Sequence, residues 1–550
     1  MISVVERLVE SWLDSQTERR YQPAFIQLLV SEGWTVLHNT RHSPIELGKD
    51  VIARDPAGVL HCFQLKGNPG GKVSKSEAAG LLTQVIELVE LPPPDVYRTG
   101  PDERHVAVFV TNGEVDEEAQ VVFERAAARV SSPACAASEF CILSRGGLLA
   151  RFVSAAGVVW PSTIDGVRQL LNLLAQDGRA LPDPDAFAEI LVATAPPPTS
   201  ASSQPERNAQ LSPMLMIAEI AKAPWYAANN HYARYAITVL AAVHGLRFAD
   251  RADRAEGLSL YDQLALEHAR DLLAEAQTRD FDPGKVWAAR SPLGEFDVMR
   301  DRGRMVGDAA AALFLGGSPL EREARRYAAD VVRKTFESPM LWGFAAVPAY
   351  IVRWWAMRNI DATQVPDLRF ARTLQALCWA AEGKGQLQPL AGPYYGFVDV
   401  WAYRSGVRNI GDDAIFDDSF ARQGWFSRAM MQMLAKRNWK QTCKRIWPAY
   451  SNLIHEDPDL PAERFFDARK VKDEGRLRSV TVHGKDWSIL IAESVDESEG
   501  AFLEPHADLA WLVAAYVAIV PYRAWTGVLM WLDHRLNETW YAPGRVAGLS

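Results

Sequence analysis

A carboxylate, an amide and a lysine stand close together early in the chain: Asp50, Gln64 and Lys66. This combination suits phosphodiester hydrolysis, because a carboxylate can hold Mg²⁺, a cation that prefers oxygen ligands. A bound cation lowers the pKa of a coordinated water, and a lysine can orient that water or neutralise charge that develops at phosphorus. The three residues are therefore candidate catalytic groups. The candidate ligands of Mg²⁺, or of Mn²⁺ in its place, are Asp50, the Gln64 amide and the Leu65 carbonyl.

The spacing of these residues fits two strands joined by a tight turn. The segment 55–58 reads Asp-Pro-Ala-Gly, which is typical of a type I turn. A left-handed glycine at its fourth position gives a three-residue hairpin loop with a bulge. Asp55 then pairs with Val59, which places Asp50 opposite Gln64. Lys66, two residues further along its strand, points to the same face. We therefore expect the three polar groups to converge at one end of the hairpin.

Helices and strands alternate around this hairpin. We predict helices over 4–14, 22–32 (with Pro23 in its first turn), 74–91 and 115–130, and one starting at 148–152. Ser74 and Glu77 form a capping-box pattern at the start of the third helix. The predicted strands are 34–38, 51–54, 59–66, 105–111 and 140–143. Such alternation indicates an α/β domain with a mixed sheet flanked by helices.

The pattern Asp50-x13-Gln64-x-Lys66, after a helix that ends in Leu28-Leu29-x3-Gly33-Trp34, resembles the Mrr-like restriction endonucleases of the PD-(D/E)xK nuclease superfamily. The likeness continues through Val106–Gly113 and Phe140–Leu149 and covers about residues 15–155. It implies a restriction-endonuclease-like fold and a metal-dependent endonuclease acting on double-stranded DNA. It also implies a role in restriction or anti-phage defence.

The first predicted helix departs from that family pattern. Relatives often carry a metal-binding glutamate just after an aromatic residue, whereas this chain has Gln22 after Tyr21. Gln22 is therefore the first candidate for this place, and Glu18, one turn earlier, is the second. Three lysines near the motif are candidate DNA contacts: Lys49, Lys72 and Lys75. Glu46 is also near the motif, as a DNA contact or as a solvated loop charge.

Two other functions remain open from the sequence. The motif indicates phosphodiester chemistry but leaves the polymer undefined, so RNA or DNA ends are alternative substrates. The chain could also be a catalytically inactive scaffold that binds nucleic acid, because Gln22 replaces an acid. The formal net charge of −9 gives no support to nucleic-acid binding, although a local basic groove is compatible with it.

The chain changes character near residue 190. The segment 195–205, Ala-Pro-Pro-Pro-Thr-Ser-Ala-Ser-Ser-Gln-Pro, has almost no apolar bulk and predicts a flexible linker over 191–212. The linker would join a nuclease-like domain, 1–190, to a mostly helical, tryptophan-rich region, 213–550. That region carries no motif for nucleotide hydrolysis, since Gly316-Gly317 lacks a following Lys-Ser/Thr pair. Regulation, partner-protein binding and assembly into a homodimer or higher oligomer are the functions we consider for it.

Several local expectations concern this second region. Helical periods occur at 231–246, 258–278, 319–336, 341–357, 370–381, 419–436 and 507–531, and a β-hairpin is predicted over 480–491. The acidic segment 455–459 is expected to be a polar loop.

Two apolar runs, 339–352 and 509–522, are shorter than the ~20 residues that span a bilayer, so we expect buried helices and no membrane partner. The N-terminus does not resemble a secretory signal, and the five cysteines form no CxxC pair. We therefore expect a cytoplasmic protein.

Overall fold

The computed structural model of the chain describes residues 4–39, 48–132, 135–159, 161, 163–195, 204–248, 256–281, 295–339, 341–361, 363–382, 391–404, 422–470, 476–489 and 497–538. It contains two compact units whose segments alternate along the chain. The first unit comprises Met1–Arg179, Glu189–Ala228 and Arg247–Tyr261. The second comprises Ala180–Ala188, Asn229–Leu246 and Asp262–Ser550.

A five-stranded mixed sheet forms the centre of the first unit. Its spatial order is β1-β2-β3-β5-β7. The strands are β1 (Thr35–Asn39), β2 (Val51–Arg54), β3 (Leu60–Lys66), β5 (His105–Thr111) and β7 (Ala137–Leu143). β1, β2 and β3 are antiparallel, whereas β5 and β7 continue the sheet parallel to β3. A small parallel pair, β4 (Lys72–Val73) and β6 (Glu114–Val115), lies outside the main sheet.

Four helices pack on this sheet and cover both of its faces: α2 (Glu18–Ser31), α3 (Lys75–Glu90), α4 (Glu117–Ala127) and α5 (Arg145–Val159). Two more helices, α1 (Val4–Ser15) and α6 (Ile164–Leu174), pack on other helices of the unit. Successive side chains of a strand point to opposite faces. Accordingly, Cys62 packs in one cluster with Leu88 of α3, whereas the neighbouring Phe63 meets Phe25 of α2 edge-on, with ring centroids 5.4 Å apart. The prediction of a mixed sheet flanked by helices is confirmed.

Local details of the first unit largely follow the sequence. The capping box at α3 forms, because Ser74 accepts from the Glu77 backbone and Glu77 accepts from the Ser74 backbone. The start predicted for α2 is wrong. The helix begins at Glu18 after the N-cap Thr17, so Pro23 lies inside it and not in its first turn. A proline there removes one helical hydrogen bond, and the surrounding segment is buried.

The predicted linker is largely helical in its described part. Helix α7 (Pro184–Thr194) precedes it, and α8 (Gln204–Ala221) begins well before residue 212; residues 196–203 lie outside the described residues. Leu211, Met214 and Leu215 of α8 are buried, and α8 packs on α2 within the first unit. The boundary therefore differs from the predicted one, because an apolar helix after the polar segment completes the first unit. Helix α9 (Ala223–Ala227) follows it.

The second unit is mostly helical. Its helices are α10 (His231–Gly245), α11 (Glu256–Thr278, shared with the first unit), α12 (Glu295–Leu315), α13 (Arg322–Glu337), α14 (Val347–Ile360), α15 (Val365–Ala381), α16 (Phe397–Arg404), α17 (Ser427–Lys436), α18 (Lys440–Tyr450), α19 (Ala510–Ile519) and α20 (Thr526–Glu538). A three-stranded sheet accompanies them, in the order β10 (Arg476–Thr481), β9 (Ile454–Asp459), β8 (Gln423–Trp425).

Three sequence predictions in this unit are wrong. The helix predicted over 419–436 begins only at Ser427, because Gln423–Trp425 forms strand β8. The described part of the predicted hairpin, 480–489, does not form one: Arg476–Thr481 pairs with the distant Ile454–Asp459, and residues 482–489 carry no strand. The segment 455–459 is consequently a sheet strand and not a loop. Two of its acids are buried with partners from β10, since Glu456 accepts from the Ser479 hydroxyl and Asp457 pairs with Arg478 at 3.3 Å, whereas Asp459 is exposed.

One stretch of the described chain, Gly500–Ile519, is long and apolar enough to cross a membrane. Two-thirds of it is buried within the protein, as expected of a core helix in a soluble fold. Within the two apolar runs identified in the sequence, residues 347–352 and 510–518 are buried in α14 and α19, as expected.

Candidate active site

The hairpin of β2 and β3 has the predicted register. Val51 pairs with Phe63 and Arg54 with Leu60, and the Asp50 backbone N–H donates to the Phe63 carbonyl at 2.8 Å. Gly58 has φ +84°, the left-handed conformation that the loop requires. The Asp55 carboxylate accepts from the Val59 backbone at 2.8 Å and so fastens the turn. Local turn chemistry therefore sets which residues meet at the far end of the hairpin.

Asp50 and Gln64 meet there, as predicted. Asp50 Oδ2 accepts two hydrogen bonds of 2.6 Å, one from Gln64 Nε2 and one from the Leu65 backbone N–H. Asp50 and Gln64 are only 7% and 4% exposed. The two donors hold the carboxylate in one orientation and compensate part of its burial.

Lys66 points to the same end and is bound by the first helix of the site. Its Nζ lies 3.2 Å from Glu18 Oε2, and the two side chains are 23% and 29% exposed. This partial exposure leaves the pair accessible to a solvent-borne substrate. Glu18, the second candidate from the sequence, thus contacts Lys66 of the motif. Gln22, the first candidate, lies one turn further along α2 and is buried.

A close approach between α2 and the end of β3 makes that pair possible. A Cβ atom on Gly67 would lie 2.1 Å from the Glu18 backbone nitrogen, so only glycine fits beside the helix N-terminus. Tyr21 donates its hydroxyl to the Lys66 carbonyl at 3.2 Å, one turn further along α2. Burial raises the pKa of Tyr21, and the nearby Glu18 and Asp50 carboxylates raise it further. The phenol therefore keeps its proton and remains a donor.

Asn112 is a second supporting residue that the sequence analysis did not identify. Its amide donates to the Leu13 and Gln16 carbonyls at 2.8 and 2.7 Å and accepts from the Asn68 backbone at 2.7 Å. It ties the end of α1 to the loop after Lys66. The sequence signal available for it was an amide residue directly after the buried strand β5.

The three candidate DNA-binding lysines do not behave alike. Lys49 is 1% exposed and its Nζ lies 3.4 Å from the Glu87 carbonyl of α3, so the prediction that Lys49 contacts DNA is wrong. Burial lowers its pKa to about 8. Lys72 and Lys75 are exposed, and Lys75 pairs with Glu118 at 3.3 Å. Glu46 lies outside the described residues.

The donor set fits a hard divalent cation. Asp50 and Glu18 offer carboxylate oxygens, and Gln64 and Leu65 offer amide and carbonyl oxygens, the ligand types that Mg²⁺ prefers. In the described part of the chain, no three His, Cys, Asp or Glu residues form a metal-binding group. Any cation at this site would therefore be held by two carboxylates with neutral oxygens and water, a set unlike that of a structural zinc site.

Comparison of the chain with protein-family models, with curated proteins and with solved structures gave no match. Functional inference therefore depends on the geometry of the site.

Proposed function

We propose that the first unit is a Mg²⁺-dependent endonuclease that hydrolyses DNA phosphodiester bonds, with Asp50, Gln64 and Lys66 at its active site. The observation that carries the proposal is the clamped Asp50 carboxylate, held by Gln64 and Leu65 beside the exposed Lys66–Glu18 pair. The arrangement agrees with the resemblance to Mrr-like nucleases.

Each residue of the cluster has a distinct part in this proposal. Asp50 and Glu18 would hold the cation, with Gln64 and Leu65 oxygens completing the protein side of its shell. When bound, a divalent cation lowers the pKa of a coordinated water and places positive charge next to the scissile phosphate. Lys66 binds a phosphate oxygen and neutralises the charge that develops in the transition state. Tyr21 fixes the strand end that carries Lys66.

The polymer and the biological setting are further parts of the proposal. Lys72 and Lys75 are exposed cations near the site, suited to contacting phosphates of a duplex. Double-stranded DNA is the proposed substrate, and restriction or anti-phage defence in the cytoplasm is the proposed role. The helical region would regulate the nuclease or assemble it, and a symmetric homodimer would bring two active sites to two strands.

Incubation of the purified full-length chain with supercoiled plasmid, linear duplex and single-stranded RNA tests this proposal. We expect nicked and then linear plasmid in the presence of Mg²⁺ and no cleavage in EDTA. Cleavage of RNA alone would indicate an RNA-directed nuclease. Degradation of linear duplex from its ends without plasmid nicking would indicate a nuclease that acts on DNA ends. Nucleic-acid binding without cleavage under any divalent cation would indicate an inactive scaffold.

A further inference from the structure

A cavity of about 230 Å³ lies within the second unit and has no place in the proposed hydrolysis. Its volume equals that of roughly eight water molecules, which suffices for one ring system with a short substituent. Five aromatic residues line it together with aliphatic side chains: Tyr232, Trp342, Tyr394, Phe397 and Tyr522. Mostly apolar walls with a few polar groups are usual for small-molecule sites.

Four of these aromatic side chains are held in two defined pairs. Tyr394 stacks on Tyr522 with ring centroids 5.7 Å apart and planes at 15°. Trp342 meets Phe397 edge-on, with centroids also 5.7 Å apart and planes at 75°. Such pairs offer both ring faces and ring edges, the surfaces against which another aromatic ring packs favourably. The walls therefore favour a planar ring over a branched aliphatic chain.

One side of the cavity is open to solvent. Phe397 is only partly buried at the start of α16, and Val398, which follows it and also lines the cavity, is 70% exposed. A ligand can therefore enter without unfolding of the core.

The charges of the lining do not cancel. Arg304 Nε lies 2.8 Å from Asp301 Oδ1, so these two lining residues compensate each other. Lys470 is the third charged lining residue, and its backbone N–H donates to the Asp185 carboxylate at 2.6 Å. Among the described residues, the Lys470 ammonium forms no ion pair within 4.0 Å. One cationic group therefore remains for a ligand.

We propose that this cavity binds a small molecule consisting of a planar aromatic or heteroaromatic ring with one acidic group. The ring would pack among Trp342, Tyr394 and Phe397, and the carboxylate or phosphate would pair with Lys470. Charge-assisted hydrogen bonds of this kind are about twice as strong as neutral ones. Because the cavity is separate from the Asp50 site, this proposal stands independently of nuclease activity.

Calorimetric titration of the full-length chain tests the proposal with two matched pairs of probes. Indole-3-acetate is compared with indole-3-acetamide, and adenosine monophosphate with adenosine. We expect at least one acid to bind saturably and about tenfold more tightly than its neutral partner, a difference that corresponds to about 1.4 kcal/mol. The pair that shows this difference distinguishes an aromatic carboxylate from a nucleotide.

Two variants locate the binding. Lys470→Met should bring the affinity of the acid down to that of its neutral partner, whereas Lys485→Met, at an exposed lysine of the same unit outside the lining, should change nothing. Phe397→Ala should weaken acid and neutral probe alike. The proposal is overturned if neither acid binds saturably in the millimolar range, if acid and neutral probe bind equally, or if both cavity variants bind as the wild type does.

Discussion

Two clusters of charged residues, one in each unit, use similar side chains under different conditions. In the first unit, Lys66 and Glu18 form a partly exposed pair next to the clamped Asp50. In the second, Arg304 joins Asp301 and Asp308 at 2.8 and 2.6 Å, and Arg353 also bonds to Asp308. Every side chain of the second cluster is less than 10% exposed.

The difference between the two clusters shows how charged residues with a chemical role can be distinguished from charged residues with a structural role. Asp308 is fully engaged by two arginines, and burial still raises its pKa above the usual range. Its two oxygens accept from Arg304 of α12 and Arg353 of α14, so this cluster ties α12 to α14. Asp50 is also buried, and its Oδ2 is fixed by two donors, but the Lys66–Glu18 pair at the same end of the hairpin is partly exposed. Access of solvent to this pair distinguishes the candidate active site from the buried cluster.

The largest expected effect concerns where the first unit ends. The fragment 1–190 lacks α8, whose buried Leu211, Met214, Leu215 and Ile217 pack within the first unit. Each such side chain contributes about 1.5–3 kcal/mol, so their loss together approaches the whole stability of a domain. We expect 1–190 to be unfolded and 1–228 to be folded, as measured by circular dichroism melting. If both fragments melt cooperatively at the same temperature, the first unit would be complete at residue 190, as the sequence predicted.

Breaking the buried cluster should mainly affect stability. Asp308→Ala leaves Arg304 and Arg353 without their shared partner, which should cost about 3–5 kcal/mol. The matched control is Asp330→Ala, since Asp330 pairs with Lys334 on an exposed surface and should contribute less than about 1 kcal/mol. The free energy of unfolding of each variant is measured by denaturant unfolding that is monitored through hydrogen exchange in α12 and α14. Similar losses for the two variants would show that the buried cluster has no special structural role.

Breaking the exposed pair should mainly affect catalysis. Lys66→Met should slow Mg²⁺-dependent cleavage about 10²–10³-fold, the usual effect of removing one transition-state donor, with little change in melting temperature. Lys485→Met is the control, because Lys485 is an exposed lysine of the second unit that has no part in the proposed site. Equal slowing by the two variants would mean that Lys66 acts only through general attraction of the DNA.

Lowering the pH is expected to reduce the stability of the first unit by a smaller amount. Burial lowers the pKa of His105 to about 4, from about 6.5 in the unfolded chain. Between these values the unfolded state binds more protons, so the stability contribution is present above pH 6.5 and is lost as pH falls toward 4. At pH 5 the loss should be about 2 kcal/mol. His105→Gln should reduce this loss, whereas the exposed His483→Gln should not; an unchanged pH profile for His105→Gln would contradict the assignment.

The sequence allowed the hairpin to be predicted in detail because the turn 55–58 and its glycine determine the pairing locally. It could not establish that Glu18 pairs with Lys66, because that contact depends on where α2 starts and how closely the helix approaches Gly67. It also misplaced Lys49, whose side chain enters the core under α3. Strand β9 and helix α8 were missed because their partners lie far away in the chain, and tertiary burial overrode their polar surroundings.

Plasmid nicking by Asp50→Ala, compared with the wild type at equal Mg²⁺ concentration, tests the central assignment most directly. Asp50 lies at a hairpin end, and a water molecule in place of its carboxylate can accept from the Gln64 and Leu65 donors, so the variant should remain folded by melting temperature. We expect its cleavage to fall to the level seen in EDTA. Cleavage by a folded Asp50→Ala chain that remains at the wild-type rate and still requires Mg²⁺ would contradict the account.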